Sequence, residues 1–131
     1  MTREPPDPNR QPKGELVIRT MAMPADTNAY GDIFGGWLMA QMDLGAAILA
    51  QKVAQSRVTT VAVDAMAFHW PVRVGETVAC YATLERIGRT SMTIHIDVWV
   101  QHRDGAQQCV TEAVFTYVAL DPDGKPWPVK R

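Results

Sequence analysis

The sequence predicts an α+β fold, in which a curved five-stranded antiparallel sheet wraps around one long central helix. Three observations lead to this prediction. Residues 37–54 form the only long helical pattern, and it is apolar on nearly every side, as a buried helix is. Most of the remaining chain alternates apolar and polar residues, as strands do. The links between successive strands are shorter than the dozen or so residues that a parallel crossover needs.

The strands and their boundaries follow from the alternation and from turn-forming residues. Residues 15–23 predict a first strand, which Pro24 ends. After a polar loop and the helix, the alternation returns at residues 58–68, 77–87, 91–102 and 109–120. The turns between these strands are marked by Pro71, Gly75, Gly88 and Asp104-Gly105. We therefore expect one strand, the helix, and then a meander of four strands.

Two patterns indicate how the sheet and the helix pack. In residues 91–102, one apolar row faces the core, while the polar row, interrupted by Trp99, lies on a face that is wet or at an interface. Small residues would let the sheet approach the helix closely: Ala40, Gly45, Ala46, Ala47 and Ala50. Apolar residues also remain on the outer arc of the helix, namely Trp37, Leu44 and Ile48. Because one helix cannot cover a five-stranded sheet from every side, this leftover apolar surface predicts a homo-oligomer.

Composition places the chain among ordinary globular domains. It has 131 residues, of which 47% are hydrophobic and 21% charged, so it can build one core. A net charge of −1 without a basic run argues against nucleic acid as a partner. Residues 1–13 hold four prolines among charged residues and predict a disordered tail, which leaves a domain at 14–128. Four polar residues interrupt the helix, so we expect no membrane partner and a cytoplasmic protein: Gln41, Asp43, Gln51 and Lys52.

The cysteines and histidines do not predict a metal or redox site. Cys80 and Cys109 each stand alone inside a strand pattern, so we expect buried free thiols. His69, His95 and His102 are scattered without the spacing of metal ligands. We therefore predict no metal and no cofactor.

Asp43 is the strongest candidate for a functional residue. At 100° per residue, the other polar residues of the helix fall on one arc, whereas Asp43 falls among small residues on the opposite side. Burying a carboxylate costs on the order of several kcal/mol unless it is paired or neutralised. Asp43 also lies too far inside the helix to cap its first turn. We therefore favour a functional carboxylate over a structural one that is paired with an arginine or bonded to a loop.

The Gly35-Gly36 pair at the helix start supplies a second candidate group. Backbone amides in a first helical turn lack an intrahelical partner and carry the positive end of the helix dipole. Glycine lets a ligand oxygen approach them, although a tight loop-to-helix turn would explain the pair as well. With Asp43 about two turns further on, the arrangement suits hydrolysis of an activated acyl compound.

Several motifs, taken together and in order, resemble the acyl-CoA thioesterases of the hotdog fold, and most of all the small bacterial YciA-type enzymes. The similarity runs from about Lys13 to Pro128. Its main motifs are Pro24-Ala25-Asp26-Thr27-Asn28, Gly31-Asp32-Ile33-Phe34-Gly35-Gly36-Trp37-Leu38-Met39, Met42-Asp43 and Arg57-Val58-Thr59-Thr60-Val61-Ala62-Val63-Asp64.

The resemblance implies a fold, an assembly and a set of catalytic residues. Two chains would pair into a double-hotdog dimer, three dimers would commonly form a hexamer, and both subunits would contribute to a site at the dimer interface. Asp43 would be the catalytic carboxylate, acting either as a general base or as a nucleophile. Gly35 or Gly36 would offer the oxyanion amide, and Asn28 and Asp32 would support the site.

The resemblance also implies where coenzyme A binds. Its pantetheine would lie against an edge strand that includes Thr60, Val61 and Ala62. Its phosphates and adenine would meet basic and hydroxyl residues, for which we predict Arg57, Arg89, Thr90 and Ser91. Arg57 equally stands where a cation stabilises the end of a helix.

Two other functions compete with thioester hydrolysis. A non-catalytic acyl-CoA binding or regulatory module would need no base, so Asp43 would be dispensable to it. An acyl-thioester dehydratase would pair a histidine with a carboxylate, but the helix and its preceding loop contain no histidine.

Overall fold

The computed structural model describes residues 10–131, so most of the predicted tail lies outside the described residues. The first strand, β1 (Glu15–Met21), leads through a short 3₁₀ turn (Pro24–Asp26) into the helix α1 (Gly35–Ala54). Four strands follow: β2 (Arg57–Phe68), β3 (Thr77–Ile87), β4 (Ser91–Gln101) and β5 (Gln107–Leu120). The helix contacts all five strands. This arrangement confirms the predicted hotdog fold.

The order of the strands corrects one prediction. All neighbours are antiparallel, and the order across the sheet is β1-β3-β4-β5-β2. The predicted four-strand meander is therefore wrong for β2, which pairs with β5 at one edge of the sheet. Residues 69–76 can extend to roughly 26 Å. That length covers the three interstrand spacings of about 4.8 Å that separate β2 from β3. A link can thus be short in sequence and still cross the sheet.

The helix approaches the sheet through its small residues, as predicted for three of them. Gly45, Ala46 and Ala50 are buried, and a Cβ atom on Gly45 would lie only 2.8 Å from Cγ2 of Val17. Ala47 is half-buried, and Ala40 is exposed, so the prediction was wrong for Ala40. The helix therefore approaches β1 most closely at Gly45, where a side chain would collide with Val17.

The two faces of β4 match the predicted alternation, with one addition. The apolar row of β4 is fully buried in the core. On the opposite face, Asp97 and Trp99 are also buried, with 2% and 1% of their surface exposed. Residues near the N-terminus contact them: the backbone amide of Lys13 donates to Asp97, and the Arg10 guanidinium lies 5.9 Å from the Trp99 ring centroid. This outer polar cluster is defined here by Arg10, Lys13, His69, His95, Asp97, Trp99 and Glu112.

The cysteines are buried free thiols, as predicted. Burial raises the pKa of Cys80 and that of Cys109 to about 12. Both thiols therefore stay protonated at neutral pH. Within residues 10–131, no helix combines the length and the apolar character that crossing a membrane requires.

Candidate active site

Asp43 lies where the helix passes over β2 and β5, and two hydroxyl groups hold its carboxylate. The Thr60 hydroxyl donates to Oδ1 at 2.6 Å, and the Tyr117 hydroxyl donates to the same oxygen at 2.7 Å. The Tyr117 hydroxyl also lies 2.9 Å from the Asp43 carbonyl oxygen. Asp43 is half-buried. Both donors are neutral, so the arginine partner expected of a structural carboxylate is replaced here by hydroxyls.

Two cross-strand pairs build the floor of the site. Thr60 on β2 is the register partner of Tyr117 on β5, and Val63 is the partner of Phe115. In a regular strand, Thr60 and Val63 would point to opposite faces, because side chains alternate with a period of two. The register shifts between Thr60 and Ala62, which leaves Val61 as an extra residue on β2. Such a bulge re-aims the following side chains, and Thr60 and Val63 therefore face the same cavity.

That cavity has a volume of about 280 Å³ and an apolar lining around one carboxylate. It is lined by Gly36, Met39, Ala40, Asp43, Thr60, Val63 and Phe115. Ligand sites typically combine an apolar wall with a few placed polar groups. The cavity runs from Asp43 toward the start of the helix, so an acyl chain placed in it would lie along α1.

The two glycines at the helix start have different surroundings. Gly36 is exposed and lines the cavity. A Cβ atom on Gly35 would lie 2.9 Å from Cζ of Phe68, so this glycine allows close packing. The Trp37 amide donates to the Phe34 carbonyl at 3.1 Å, and the amides of Gly35 and Gly36 come before it in the first turn, where a helix provides no partner. Gly36 is thus the better placed of the two for a ligand oxygen.

Asn28 and Asp32 organise the loop that precedes the helix. Asn28 Oδ1 accepts from the backbone amides of Tyr30 at 2.9 Å and of Asp32 at 3.1 Å. The backbone amide of Asn28 donates to the backbone carbonyl of Asp32 at 2.7 Å. Both side chains are exposed, and neither lines the Asp43 cavity in the part of the chain that the structure describes. Their predicted support of catalysis stays a prediction.

The residues predicted to bind coenzyme A fall into two groups. Val61 and Ala62 follow Thr60 on the edge strand, and 54% of the Val61 surface is exposed. Arg57, at the start of β2, lines a second cavity of about 280 Å³ together with Trp127.

The hairpin residues Arg89, Thr90 and Ser91 lie at the same end of the sheet as Arg57. The Val129 amide donates to the Arg89 carbonyl, and the Ala119 amide donates to the Thr90 carbonyl, both at 2.9 Å. Ser91 closes the hairpin by accepting from the Gly88 amide at 2.8 Å. Because Leu120 is the register partner of Arg57, the predicted phosphate-binding residues share one end of the sheet, with the C-terminal segment between them.

Comparison with known proteins identifies the family. A family model described as the thioesterase superfamily matches residues 30–106, which is more than half of the chain. The chain belongs to the thioesterase superfamily. A relative from Salmonella typhimurium, named acyl-CoA thioester hydrolase YciA, is 58% identical over 122 residues. The match covers 90% of this chain and 92% of the relative.

Solved structures of thioesterases have the same fold. The hexameric thioesterase y2039 from Yersinia pestis is 57% identical, with a TM-score of 0.87, over 92% of this chain and all of that chain. An acyl-CoA hydrolase from Staphylococcus aureus, solved with butyryl coenzyme A, coenzyme A and coenzyme A disulfide, is 31% identical. Its TM-score is 0.80, and the match covers 85% of this chain and 68% of that chain. The fold is thus retained in a hydrolase that differs from this chain at most positions.

Tyr117 is a site residue that sequence reasoning missed in this thioesterase. Burial, and then its hydrogen bond to Asp43, raise the pKa of the Tyr117 hydroxyl. One signal was available: the alternation of residues 109–120 puts Phe115 and Tyr117 on one face, and a buried tyrosine hydroxyl usually finds a partner. The identity of that partner depends on β2 lying next to β5, which the predicted meander excluded.

The histidines lie away from Asp43. His69 and His95 approach Glu112 at 3.5 Å in the outer polar cluster, and His102 begins the β4–β5 turn. In the described part of the chain, no group of three or more His, Cys, Asp or Glu side chains is arranged to hold a metal ion.

Proposed function

We propose that this chain hydrolyses acyl-CoA thioesters to a free carboxylic acid and coenzyme A. One observation carries the proposal: a carboxylate held by two neutral hydroxyls at the end of an apolar cavity. The relative from Salmonella typhimurium is named for this activity, and the hydrolase from Staphylococcus aureus was solved with butyryl coenzyme A. The proposal includes the cytoplasmic location predicted from the sequence.

The proposed mechanism uses Asp43 as a general base. Asp43 takes a proton from a water molecule, whose oxygen attacks the thioester carbonyl carbon. The oxyanion that forms accepts a hydrogen bond from a backbone amide at a helix start, for which Gly36 is the candidate. The carbon–sulfur bond then breaks, and the leaving thiolate takes the proton back from Asp43. Free acid and coenzyme A result, and Asp43 is regenerated.

The cavity and the edge strand suggest how the substrate lies. The acyl chain occupies the apolar cavity between Asp43 and the helix start, where Met39 and Phe115 contact it. The pantetheine runs from Thr60 past the side chains of Val61 and Ala62, which leaves the backbone edge of β2 free for a partner strand. The phosphates meet Arg57, Arg89, Thr90 and Ser91 at the end of the sheet. Coenzyme A enters this scheme as part of the substrate, and the scheme uses no metal or redox cofactor.

The same surfaces support assembly of this chain with copies of itself. The outer edge of β2 has no strand beside it within residues 10–131, and an exposed strand edge favours pairing with another chain. The helix carries exposed Leu44 and Ile48, with 58% and 50% of their surface accessible. The Yersinia pestis thioesterase is hexameric. We therefore propose a dimer as the minimal unit and a trimer of dimers as the complete protein.

Sedimentation velocity over a range of protein concentrations tests this assembly. A hexamer would have six times the chain mass of 14.5 kDa. A species of one chain mass at the concentrations used for activity assays would contradict the proposal.

Steady-state release of coenzyme A, detected with a thiol reagent, tests the activity itself. Acyl-CoAs from acetyl to palmitoyl are offered to the wild type and to Asp43→Asn, which retains an oxygen that can accept from Thr60 and Tyr117. We expect the variant to lose about 100-fold to 10,000-fold in kcat, because that is the usual contribution of a positioned base. Asp104→Asn, in the β4–β5 turn, is the matched control and should keep wild-type activity.

The same measurements separate the competing functions. Binding of coenzyme A by the wild type without turnover at any chain length would instead favour a binding module. Consumption of an enoyl-CoA without thiol release would favour a dehydratase. None of the three histidines lines the Asp43 cavity, so the described residues lack the histidine–carboxylate pair that a dehydratase would use there.

A single turnover in water labelled with heavy oxygen tests the role of Asp43 as a base. A general base leaves the label only in the acid product. A nucleophilic carboxylate would form an anhydride with the acyl group, and hydrolysis at the Asp43 carbon would leave label in the protein. Label found in the peptide containing Asp43 would contradict the mechanism proposed here while leaving the thioesterase activity in place.

A further inference from the structure

The two hydroxyl donors at Asp43 reach the same carboxylate oxygen. Thr60 and Tyr117 both donate to Oδ1, at 2.6 and 2.7 Å. A carboxylate oxygen has two lone-pair sites, so these two donors use the accepting capacity of Oδ1. Among residues 10–131, no hydrogen bond to Oδ2 is found. The second oxygen therefore retains its capacity to accept a proton.

Of the two donors, Tyr117 is the more firmly held. Its strand β5 lies between β4 and β2, and its side chain is fully buried. Its ring stacks on Phe115, with centroids 6.3 Å apart and planes at 15°. Its hydroxyl also lies 2.9 Å from the Asp43 carbonyl oxygen, so it contacts both the side chain and the backbone of Asp43. Thr60, in contrast, belongs to an edge strand next to a bulge.

We propose that Tyr117 is a positioning residue for the reaction: it occupies Oδ1 of Asp43 and thereby directs Oδ2 toward the attacking water. The inference rests on the proposed thioesterase activity and names the reacting atom within it. Tyr117 itself neither gives nor takes a proton during turnover. Because burial and Asp43 raise the pKa of its hydroxyl, the hydroxyl stays protonated and acts as a donor throughout.

The variant Tyr117→Phe tests the proposal, because it keeps the ring and its stacking on Phe115 while removing the hydroxyl. We expect kcat to fall about 10-fold to 100-fold, since a misdirected catalytic group loses the benefit of orientation. KM should change less than about two-fold, because the hydroxyl faces Asp43 and not the acyl chain. The acidic limb of the kcat/KM profile should move to higher pH, because an ionised carboxylate that loses a donor is easier to protonate.

Tyr81→Phe is the matched control. Tyr81 lies on β3, and its hydroxyl accepts a hydrogen bond from Nε2 of Gln101 at 3.1 Å. Removing this hydroxyl deletes one partly buried hydrogen bond of a tyrosine far from Asp43. We expect wild-type kcat, KM and pH profile from this control, whatever its melting temperature.

The outcomes separate this inference from the proposed function. A Tyr117→Phe protein with wild-type kcat and an unmoved acidic limb overturns the inference, even if its melting temperature falls. A wild type that does not release coenzyme A overturns the proposed function first. If Tyr117→Phe does not fold, a tyrosine fluorinated beside the hydroxyl at position 117 replaces it in the test. Its stronger donor should move the acidic limb to lower pH, and an unmoved limb overturns the inference.

Discussion

Two aspartates on opposite faces of the sheet are held in nearly the same way. Asp43 receives two donors on one oxygen, from Thr60 and Tyr117. Asp97 also receives two donors on one oxygen, from the Trp99 indole at 2.5 Å and from the Lys13 amide at 3.1 Å. All four donors are uncharged. The number and the kind of hydrogen bonds therefore do not separate the two carboxylates.

Access is what separates them. Asp97 is 2% exposed and lies in the outer polar cluster, with His95 Nδ1 at 3.8 Å from its second oxygen. Burial raises the pKa of Asp97, although the hydrogen bond from Trp99 acts to lower it. Asp43 is half-buried and opens onto a cavity of about 280 Å³. A carboxylate with unused accepting capacity becomes a candidate for catalysis only where a substrate can reach it.

Replacing each aspartate with alanine should separate the two roles most clearly. Asp43→Ala should lose about 100-fold to 10,000-fold in kcat. It should lose little stability, because Tyr117 keeps the backbone carbonyl at position 43 as an acceptor. Asp97→Ala should keep its activity but lose about 1–3 kcal/mol of unfolding free energy, since the Trp99 and Lys13 donors are left without their acceptor.

Thiol release measures the activity of both variants, and urea unfolding measures their stability, at one pH and temperature. We expect the first variant to lose activity and the second to lose stability. Loss of activity in a fully folded Asp97→Ala protein would contradict the division between a structural and a catalytic carboxylate. An Asp43→Ala protein that loses several kcal/mol of unfolding free energy but keeps its activity would also contradict this division.

The sequence distinguishes Asp43 better than it distinguishes Asp97. Helical periodicity alone places Asp43 away from the polar arc, and that position is correct. Strand alternation predicts a wet or interfacial face for Asp97. The segment that holds Arg10 and Lys13 contacts this face, and the hydrogen bond from the Lys13 amide to Asp97 spans 84 residues. Periodicity reports which face a residue occupies and carries no information on a distant segment that covers that face.

For the same reason, the sequence pattern could not predict which strands lie side by side in the sheet. Each strand was predicted from its own pattern, and the predicted meander would have placed β2 beside β3. Pairing of β2 with β5 is what brings Thr60 opposite Tyr117 and Val63 opposite Phe115. The bulge at Val61 leaves no mark in the alternation of β2, although it decides that Thr60 and Val63 share the cavity. The positions of Asp43 inside the helix and of Gly36 at its start were thus predictable one by one, whereas the residues that surround them were not.

A smaller effect concerns the charge of Asp97. Because burial raises the pKa of Asp97, the folded protein holds the proton of the Asp97 carboxyl group more tightly than the unfolded chain does. Asp97 therefore contributes stability at low pH and loses it as the pH rises through the raised pKa. The side chain of Asp97→Asn does not titrate, so the melting temperature of this variant relative to the wild type should increase between about pH 4, the ordinary pKa of aspartate, and pH 7. Differential scanning calorimetry across this range measures the difference, and a constant or falling difference would contradict it.

The smallest expected effect lies at Glu112, whose pKa shift has the opposite sign. Burial alone would raise the pKa of Glu112, but the hydrogen bonds and charges of Arg10 and His95 lower it below its ordinary value. Its contribution to stability is therefore present above the ordinary pKa and is lost as the pH falls through the lowered one. Glu112→Gln should lower the free energy of unfolding by less than about 1 kcal/mol at pH 7, because the ion pair of Glu112 with Arg10 is partly exposed.

The difference in melting temperature between Glu112→Gln and the wild type should shrink toward zero as the pH falls below the ordinary pKa of a glutamate and through the lowered pKa of Glu112. Glu85→Gln is the matched control, since its 3.5 Å pair with Lys13 is longer and its side chains are more exposed. A deficit in Glu112→Gln that persists unchanged at low pH would mean that packing, and not charge, holds Arg10 against the sheet. The burial of Asp97 would then depend on shape and not on the ion pair beside it.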